Sequence, residues 1–384
     1  MGTQGEDGAM TIVIDDKVPF IHGILEPVAS VTYLPGDQIG PDDVRDADAL
    51  VIRTRTNCNA RLLEGSKVRF IATATIGYDH IDTAWCDEHG IHWQNAPGCN
   101  AKSVEQYILS ALLSISVSEK FDLAGKTIGI IGVGHVGSNV ERVCRLLKMN
   151  VLLNDPPRER TEGGIDFVHL DRIREEADII TVHVPLSYSG EDSTYHFMNK
   201  LFFSSLKKKP VFINSSRGEV TDTTGLKHAI SIGAVGPVVL DVWENEPLID
   251  LELLWRVAIA TPHIAGYSVD GKANGTRMSV QGLSRFFGLG LDTWEPSGLP
   301  VPEKTVLKMD CAGRSLQQVL FEAVTCSYNI LADDERLRSS VNTFEKQRGT
   351  YPLRREFGSF GVRLENDRWD AGMVLQELGF NIIK

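Results

Sequence analysis

The 384-residue chain is short of several features at once, and each shortage removes a class of function. Its six cysteines, Cys58, Cys86, Cys99, Cys144, Cys311 and Cys326, form no C-x-x-C pair, and no histidine stands at zinc-ligand spacing from them. Neither a metal site nor a disulfide framework is therefore expected, and the reducing cytoplasm is the expected compartment. Long apolar runs are missing too. Those from Thr127 to Val133 and from Asp178 to Val184 are bounded by Gly, Pro or charge and fall well below the length that spans a bilayer, so no membrane partner is expected. Positive charge is in deficit: a net charge of −12 argues against nucleic acid, whose phosphates need a basic face. The stretch Met1 to Ala9 has neither the basic region nor the apolar core of a targeting signal, and reads as an expression remnant ahead of a start at Met10.

What remains is the composition of a soluble globular protein, 42% hydrophobic and 23% charged, long enough for two or three domains. Short β-rich runs alternate with helical stretches. A first series comprises Thr11–Asp15, Asp48–Arg53, Arg69–Thr75 and Ile91–Asn95. A second comprises Lys126–Gly132, Asn150–Asn154, Asp178–Val182, Pro210–Asn214, Pro237–Asp241 and Val257–Ala260. This rhythm predicts two open parallel sheets, the second with strands buried on both faces. Helical patterns at Ser103–Ser118 and Ser268–Phe287 flank the second series and are expected to cross between the sheets. A Pro- and Gly-rich linker follows Gly290. The tail beyond it reads as a strand (Thr305–Met309), a helix (Ser315–Leu331), an arginine-rich stretch, a strand (Phe360–Leu364), a helix and a last strand (Phe380–Ile383). The expected domains are 10–104 with 268–292, 105–267, and 293–384.

Gly132-Val-Gly134-His135-Val136-Gly137 follows an apolar strand and opens a helical run, the context that gives G-x-G-x-x-G its meaning. Gly132 permits the tight turn, Gly134 lets backbone approach a pyrophosphate, and Gly137 allows close helix packing. Asp155 ends the next strand, where a carboxylate accepts bonds from a ribose diol and repels a 2′-phosphate, so NAD is the expected cofactor, with Arg158 and Arg160 as opposing charges nearby. Three residues stand just past strands of the same sheet: Arg217 in Asn214-Ser-Ser-Arg-Gly218, Glu246 in Asp241-Val-Trp-Glu-Asn-Glu-Pro247, and His263 in Thr261-Pro-His-Ile-Ala-Gly266. Oxidising a 2-hydroxy acid needs a base, a carboxylate clamp and a group that tunes the base, and these three residue types supply them. Position alone leaves Glu244 a rival to Glu246. His135 and His183 also lie near the cofactor cleft, without an acid and an arginine to complete a site.

With these motifs the chain resembles the D-isomer-specific 2-hydroxyacid dehydrogenases from Met10 to Lys384. Within that family it is similar to the branch that oxidises 4-phospho-D-erythronate to 2-oxo-3-hydroxy-4-phosphobutanoate in vitamin B6 biosynthesis. The narrower likeness is carried by Ala72–His80, Asn95–Asn100, Asp155-Pro-Pro157, His263–Tyr267 and the tail. The resemblance implies an α/β fold: a Rossmann-type doubly wound parallel sheet that binds NAD, a second, flavodoxin-like α/β lid domain, and a small C-terminal α+β domain that forms a homodimer. It implies Glu246 as the catalytic acid beside Arg217 and His263. It places Thr54, Thr75 and Tyr267 at the substrate, although the family has serine where Thr54 stands, and Ser215, Ser216, Asp241 and Gly266 near the cofactor. A phosphorylated substrate needs further cations. Arg53 is the candidate phosphate ligand, and Arg354 or Arg355 is expected to reach the phosphate across the dimer. The alternatives are D-3-phosphoglycerate dehydrogenase or another D-2-hydroxyacid dehydrogenase and, outside catalysis, an NAD(H)-sensing corepressor.

Overall fold

The computed structural model describes residues 10–163, 167–368 and 370–383; the stretch read as a remnant lies outside them. Contacts divide the chain into two compact units, one running to Asn100 and joined by Val269–Pro300, the other formed by Ala101–Ser268 and the chain from Val301 onward.

In the first unit, β1 (Thr11–Asp15), β2 (Ser30–Leu34), β3 (Ala49–Ile52), β4 (Phe70–Thr73) and β5 (His92–Gln94) form a parallel sheet in the order β2-β1-β3-β4-β5. That order is the flavodoxin-like arrangement. Strand alternation sends Val13, Leu50, Ile52 and Ile71 into one core. Ile12, Ile14, Val51, Phe70 and Ala72 enter the other, where Val280 and Leu283 of the helix Val269–Phe287 cover them. The sequence pattern did not mark β2. As an edge strand, paired only to β1, it carries a half-exposed mix of residues instead of a continuous apolar run.

The second unit holds β6 (Thr127–Ile131), β7 (Asn150–Asn154), β8 (Ile179–Val182), β9 (Val211–Asn214), β10 (Val238–Leu240) and β11 (Ile259–Ala260). All are parallel, in the order β11-β10-β9-β8-β6-β7. The chain steps outward from β6 to β7 and then returns to add β8 on the other side. The topological switch therefore falls between β6 and β8, and ligands of such sheets bind at the carboxyl ends beside the switch.

The same unit contains a three-stranded parallel sheet, β12 (Val306–Asp310), β13 (Gly361–Glu365) and β14 (Asn381–Ile382). Its apolar residues, among them Leu307, Val319, Leu320 and Val362, share one buried cluster with Ile128, Ile130, Ile213 and the helix Ala101–Ser118. A segment this short buries little surface alone, which accounts for its joining the larger core. Polar ties add to the packing: Asp334 accepts from the Ala260 amide at the edge strand β11 (2.7 Å), and Arg338 donates to the carbonyls of Leu254 (2.6 Å) and Val257 (3.0 Å).

The single helix expected at Ser315–Leu331 is in fact two, Leu316–Ser327 and Ile330–Ser339. Ser315 and Gln318 form a capping box at the start. The break comes because Asn329 caps a new helix by accepting from the Leu331 amide, while the Tyr328 hydroxyl donates to the buried Asp333 at 2.9 Å.

Candidate active site

The glycine turn lies between β6 and the helix His135–Leu146. Gly132 has φ +86°, and a Cβ there would lie 2.7 Å from the His183 carbonyl group, so the turn touches the chain leaving β8. A Cβ on Gly137 would collide with the Gly132 carbonyl oxygen, whereas Gly134 faces open space. Gly132 and Gly137 thus have separate steric reasons, while Gly134 leaves room for an approaching group. No side chain caps this helix, and its first amide groups are left for an anion. His135 is exposed at the helix start, and Val136 is half-buried.

Asp155 directly follows β7, with one carboxylate oxygen accepting from the Val133 amide (2.7 Å) and the other from Arg158 N (3.1 Å). These bonds fix the carboxylate beside the turn and leave lone pairs for a diol. The two neighbouring arginines are engaged by acids. Arg158 is gripped by Glu162 at 2.7 and 2.6 Å and also donates to the Val133 carbonyl, and Arg160 pairs with Asp192.

The catalytic candidates follow β9, β10 and β11, three neighbouring strands of the sheet. After β9, Asn214 organises the loop: its Oδ1 accepts from the Ser216 amide and hydroxyl (2.9 and 2.8 Å), and its Nδ2 donates to the Arg217 carbonyl (3.0 Å). Gly218 then packs so tightly on the Trp243–Glu244 backbone that a Cβ would overlap it, which joins the Arg217 loop to the loop after β10. Ser215 Oγ is buried without a hydrogen-bond partner.

His263 has φ +57°, a backbone conformation rare for a non-glycine residue. Asp241 holds it there. This buried carboxylate accepts from the Thr261 hydroxyl (2.6 Å) and from the amides of Ile264 and Ala265 (both 2.8 Å), and its own carbonyl accepts from the His263 amide (2.7 Å). Burial pushes the Asp241 carboxyl up; His263, the Thr261 hydroxyl and the two amides pull it down without cancelling the rise. Asp241, expected beside the cofactor, therefore spends its described contacts as the clamp of the histidine loop.

Glu246 Oε2 lies 2.7 Å from His263 Nδ1, and its Oε1 accepts from the Trp243 amide at 2.9 Å. Burial pushes this carboxyl up, but His263, the Trp243 amide and the charge of Arg348 more than offset it, and Glu246 ends below the ordinary carboxylate range. An ionised Glu246 makes Nδ1 the protonated nitrogen and leaves Nε2 with its lone pair. The rival acid has another partner: Glu244 bonds His196 Nε2 at 2.6 Å and accepts from the Thr223 amide at 2.8 Å. His196, Asp222 and Glu244 bring ligand-type atoms within 4.8 Å of one another, a grouping the spacing of the sequence did not announce. Gly266 and Tyr267 follow in the same loop, Tyr267 packing edge-on against Tyr351 of the tail with ring centres 5.8 Å apart.

The expected substrate contacts Arg53, Thr54 and Thr75 belong to the other unit. Arg53 ends β3 and donates to the Lys17 carbonyl (3.2 Å), and Thr54 is exposed. Thr75 Oγ1 lies 2.7 Å from that of Thr73, which in turn contacts His80 Nε2 at 3.1 Å. The expectation for Arg354 is corrected. It is 3% exposed and wholly engaged within its own chain, donating to Gln106 Oε1 (2.8 Å) and to the carbonyls of Ser103, Ile264 and Ala265. No N–H of that fork reaches outward to a partner subunit. Arg348, which sequence reasoning passed over, is the tail arginine whose charge acts on Glu246.

A glycine turn at the switch point and a His–Glu pair with an arginine at neighbouring strand ends define an NAD-dependent 2-hydroxyacid dehydrogenase. Residues 110–265 match the family described as D-isomer specific 2-hydroxyacid dehydrogenase, NAD binding domain, and residues 299–379 match a domain of unknown function, DUF3410. The chain is 51% identical over 354 residues to the erythronate-4-phosphate dehydrogenase of Bacteroides thetaiotaomicron, covering 92% of this chain and 99% of that protein. To the enzyme of the same name from Porphyromonas gingivalis it is 42% identical, over 92% and 95%. Among solved structures, the fold is similar to that of NAD-bound 3-phosphoglycerate dehydrogenase from Entamoeba histolytica. There the TM-score is 0.62 at 23% identity, covering 76% of this chain and all of that one. It is also similar to D-lactate dehydrogenase from Aquifex aeolicus with NAD and lactic acid, with a TM-score of 0.61 at 25% identity, over 73% and 96%. The chain belongs to the erythronate-4-phosphate dehydrogenase family; it is an oxidoreductase, and its cofactor is NAD.

Proposed function

We propose that this chain oxidises the C2 hydroxyl of 4-phospho-D-erythronate to the 2-oxo acid. The observation that carries the reading is the 2.7 Å bond between His263 Nδ1 and Glu246, which directs the Nε2 lone pair to the task of a general base. Arg217 holds the substrate carboxylate through its planar fork and fixes which face of C2 is presented. His263 Nε2 takes the hydroxyl proton, and Glu246 stabilises the imidazolium that results. Bound NAD supplies the acceptor for the two electrons and the hydrogen that leave C2.

The residues fit that cofactor. Gly132, Gly134, His135, Val136 and Gly137 would receive the pyrophosphate, and Asp155 the adenine ribose. Ser215, Ser216, Asp241 and Gly266 would border the nicotinamide half, where the orphaned Ser215 hydroxyl supports the assignment. Arg53, Thr54, Thr75 and Tyr267 would contact the substrate. The pairing of Arg158 with Glu162 and of Arg160 with Asp192 supports NAD over NADP. The Asp155→Ala variant tests this: NAD affinity should fall and discrimination against NADP relax, and an unchanged cofactor preference would contradict the role.

The tail is read as a homodimerisation domain. Val301, Val306, Leu331, Leu353 and Met373 are large, exposed apolar side chains in that segment, which supports the reading. No helix among the described residues is long and apolar enough to cross a membrane, and the six cysteines are free, which suits a cytoplasmic enzyme.

A further inference from the structure

Arg348 lies in the short helix Phe344–Gly349 of the tail, yet its charge acts at the catalytic pair. Its guanidinium carbon is 5.7 Å from the ring centre of Tyr267, in the loop that carries His263. Nη1 donates to Glu345 at 2.8 Å. Nε is buried without a partner, and the guanidinium makes no other hydrogen bond among the described residues. Glu246 does not spend the remaining donors: its described hydrogen bonds are to His263 and the Trp243 amide, and Arg348 acts on it through charge alone.

A guanidinium whose Nε is buried without a partner and whose Nη1 has one acid gains from an anion that completes it. The side chain keeps 19% of its surface exposed, so a small anion can reach it. Three other arginines of the unit have partners or a role of their own. Arg354 is consumed by Gln106 and three carbonyls, Arg158 is held by Glu162, and Arg217 is assigned to the carboxylate. A four-carbon substrate with an anion at each end needs a second fork, and phosphate accepts paired N–H bonds as a carboxylate does.

We propose that Arg348 binds the substrate phosphate, so that the tail completes the substrate site of its own chain. This rests on the reading above that the substrate is phosphorylated.

The test compares kcat/KM for 4-phospho-D-erythronate and unphosphorylated D-erythronate in the wild-type enzyme and in Arg348→Ala and Arg348→Gln, with inhibition by inorganic phosphate as a second measure. NADH titration by fluorescence confirms folding, and Arg348→Gln preserves the packing should the alanine variant not fold. Loss of a charged hydrogen-bonding partner should lower kcat/KM for the phosphorylated substrate by roughly 10- to 100-fold, mainly through KM. The value for D-erythronate, which feels only the loss of charge beside Glu246, should fall far less, and phosphate inhibition should weaken. Equal losses on both substrates would make Arg348 a support for Glu246 or Tyr267 and overturn the proposal, as would no loss on either. If the wild-type enzyme itself fails to oxidise 4-phospho-D-erythronate, the functional reading falls and this inference with it. Wild-type turnover with discrimination retained in the variants removes Arg348 alone.

Discussion

At the scale of single residues, His263 is the group that takes the substrate proton. The His263→Ala variant should lose turnover by roughly 10²- to 10⁴-fold while NADH still binds, since the glycine turn is untouched; steady-state kinetics beside a fluorescence titration checks both halves. A second prediction concerns His183, whose imidazole burial pushes down to about 3. The folded state thus resists a proton that the unfolded chain accepts below about pH 6.5, so stability is full above that pH and declines as pH falls toward 3. Urea midpoints measured between pH 7 and 5 should fall, and His183→Asn should flatten the slope; an unchanged slope would contradict the assignment. How much of this was legible depends on what each residue does. Arg217, Glu246 and His263 stand in short motifs that name their chemistry, so they could be read directly. Position alone did not separate Glu244 from Glu246, which share one loop; the family resemblance pointed to Glu246, and distance assigns each its own histidine. The clamp role of Asp241 and the exposed edge of Arg348 depend on burial, which spacing does not encode.

Elements repeat the same division. Central strands such as β6, β8 and β9 are buried on both faces and announce themselves as apolar runs, whereas β2, at an edge, does not. The helix break at Tyr328–Asn329 turns on one cap and one buried hydroxyl bond, a local competition within an otherwise helical pattern. Loop–loop contacts were invisible in the sequence, and they carry a prediction. Gly218→Ala drives a methyl into the Trp243 backbone, so the Arg217 and Glu246 loops must part. Turnover should fall by at least 10-fold with little change in NADH binding, and normal kinetics would show that the loops are not coupled. Arg354 ties the tail to the helix Ala101–Ser118 and to the histidine loop through four acceptors. Its replacement by alanine leaves buried acceptors unpaired and should cost about 3 kcal/mol, read from the urea midpoint; a loss under 1 kcal/mol would contradict so central a tie.

For the whole molecule, the tail is the distinguishing part. It shares a core with the NAD-binding sheet, and it presents apolar side chains outward, so sedimentation equilibrium at micromolar concentration should give twice the chain mass. A monomer at that concentration would remove the homodimer reading. The two parallel sheets were foreseeable because βαβ rhythm survives in any sequence that builds them. The sharing of one core by the tail and the larger sheet was not, since it follows from which apolar faces meet. The measurement that bears most directly on the central claim is NADH formation at 340 nm with 4-phospho-D-erythronate, 3-phosphoglycerate and D-lactate supplied in parallel to the intact enzyme. The four-carbon phosphate should be oxidised with a kcat/KM far above those of the other two. Preference for 3-phosphoglycerate or D-lactate, or no NADH from any of them, would contradict it.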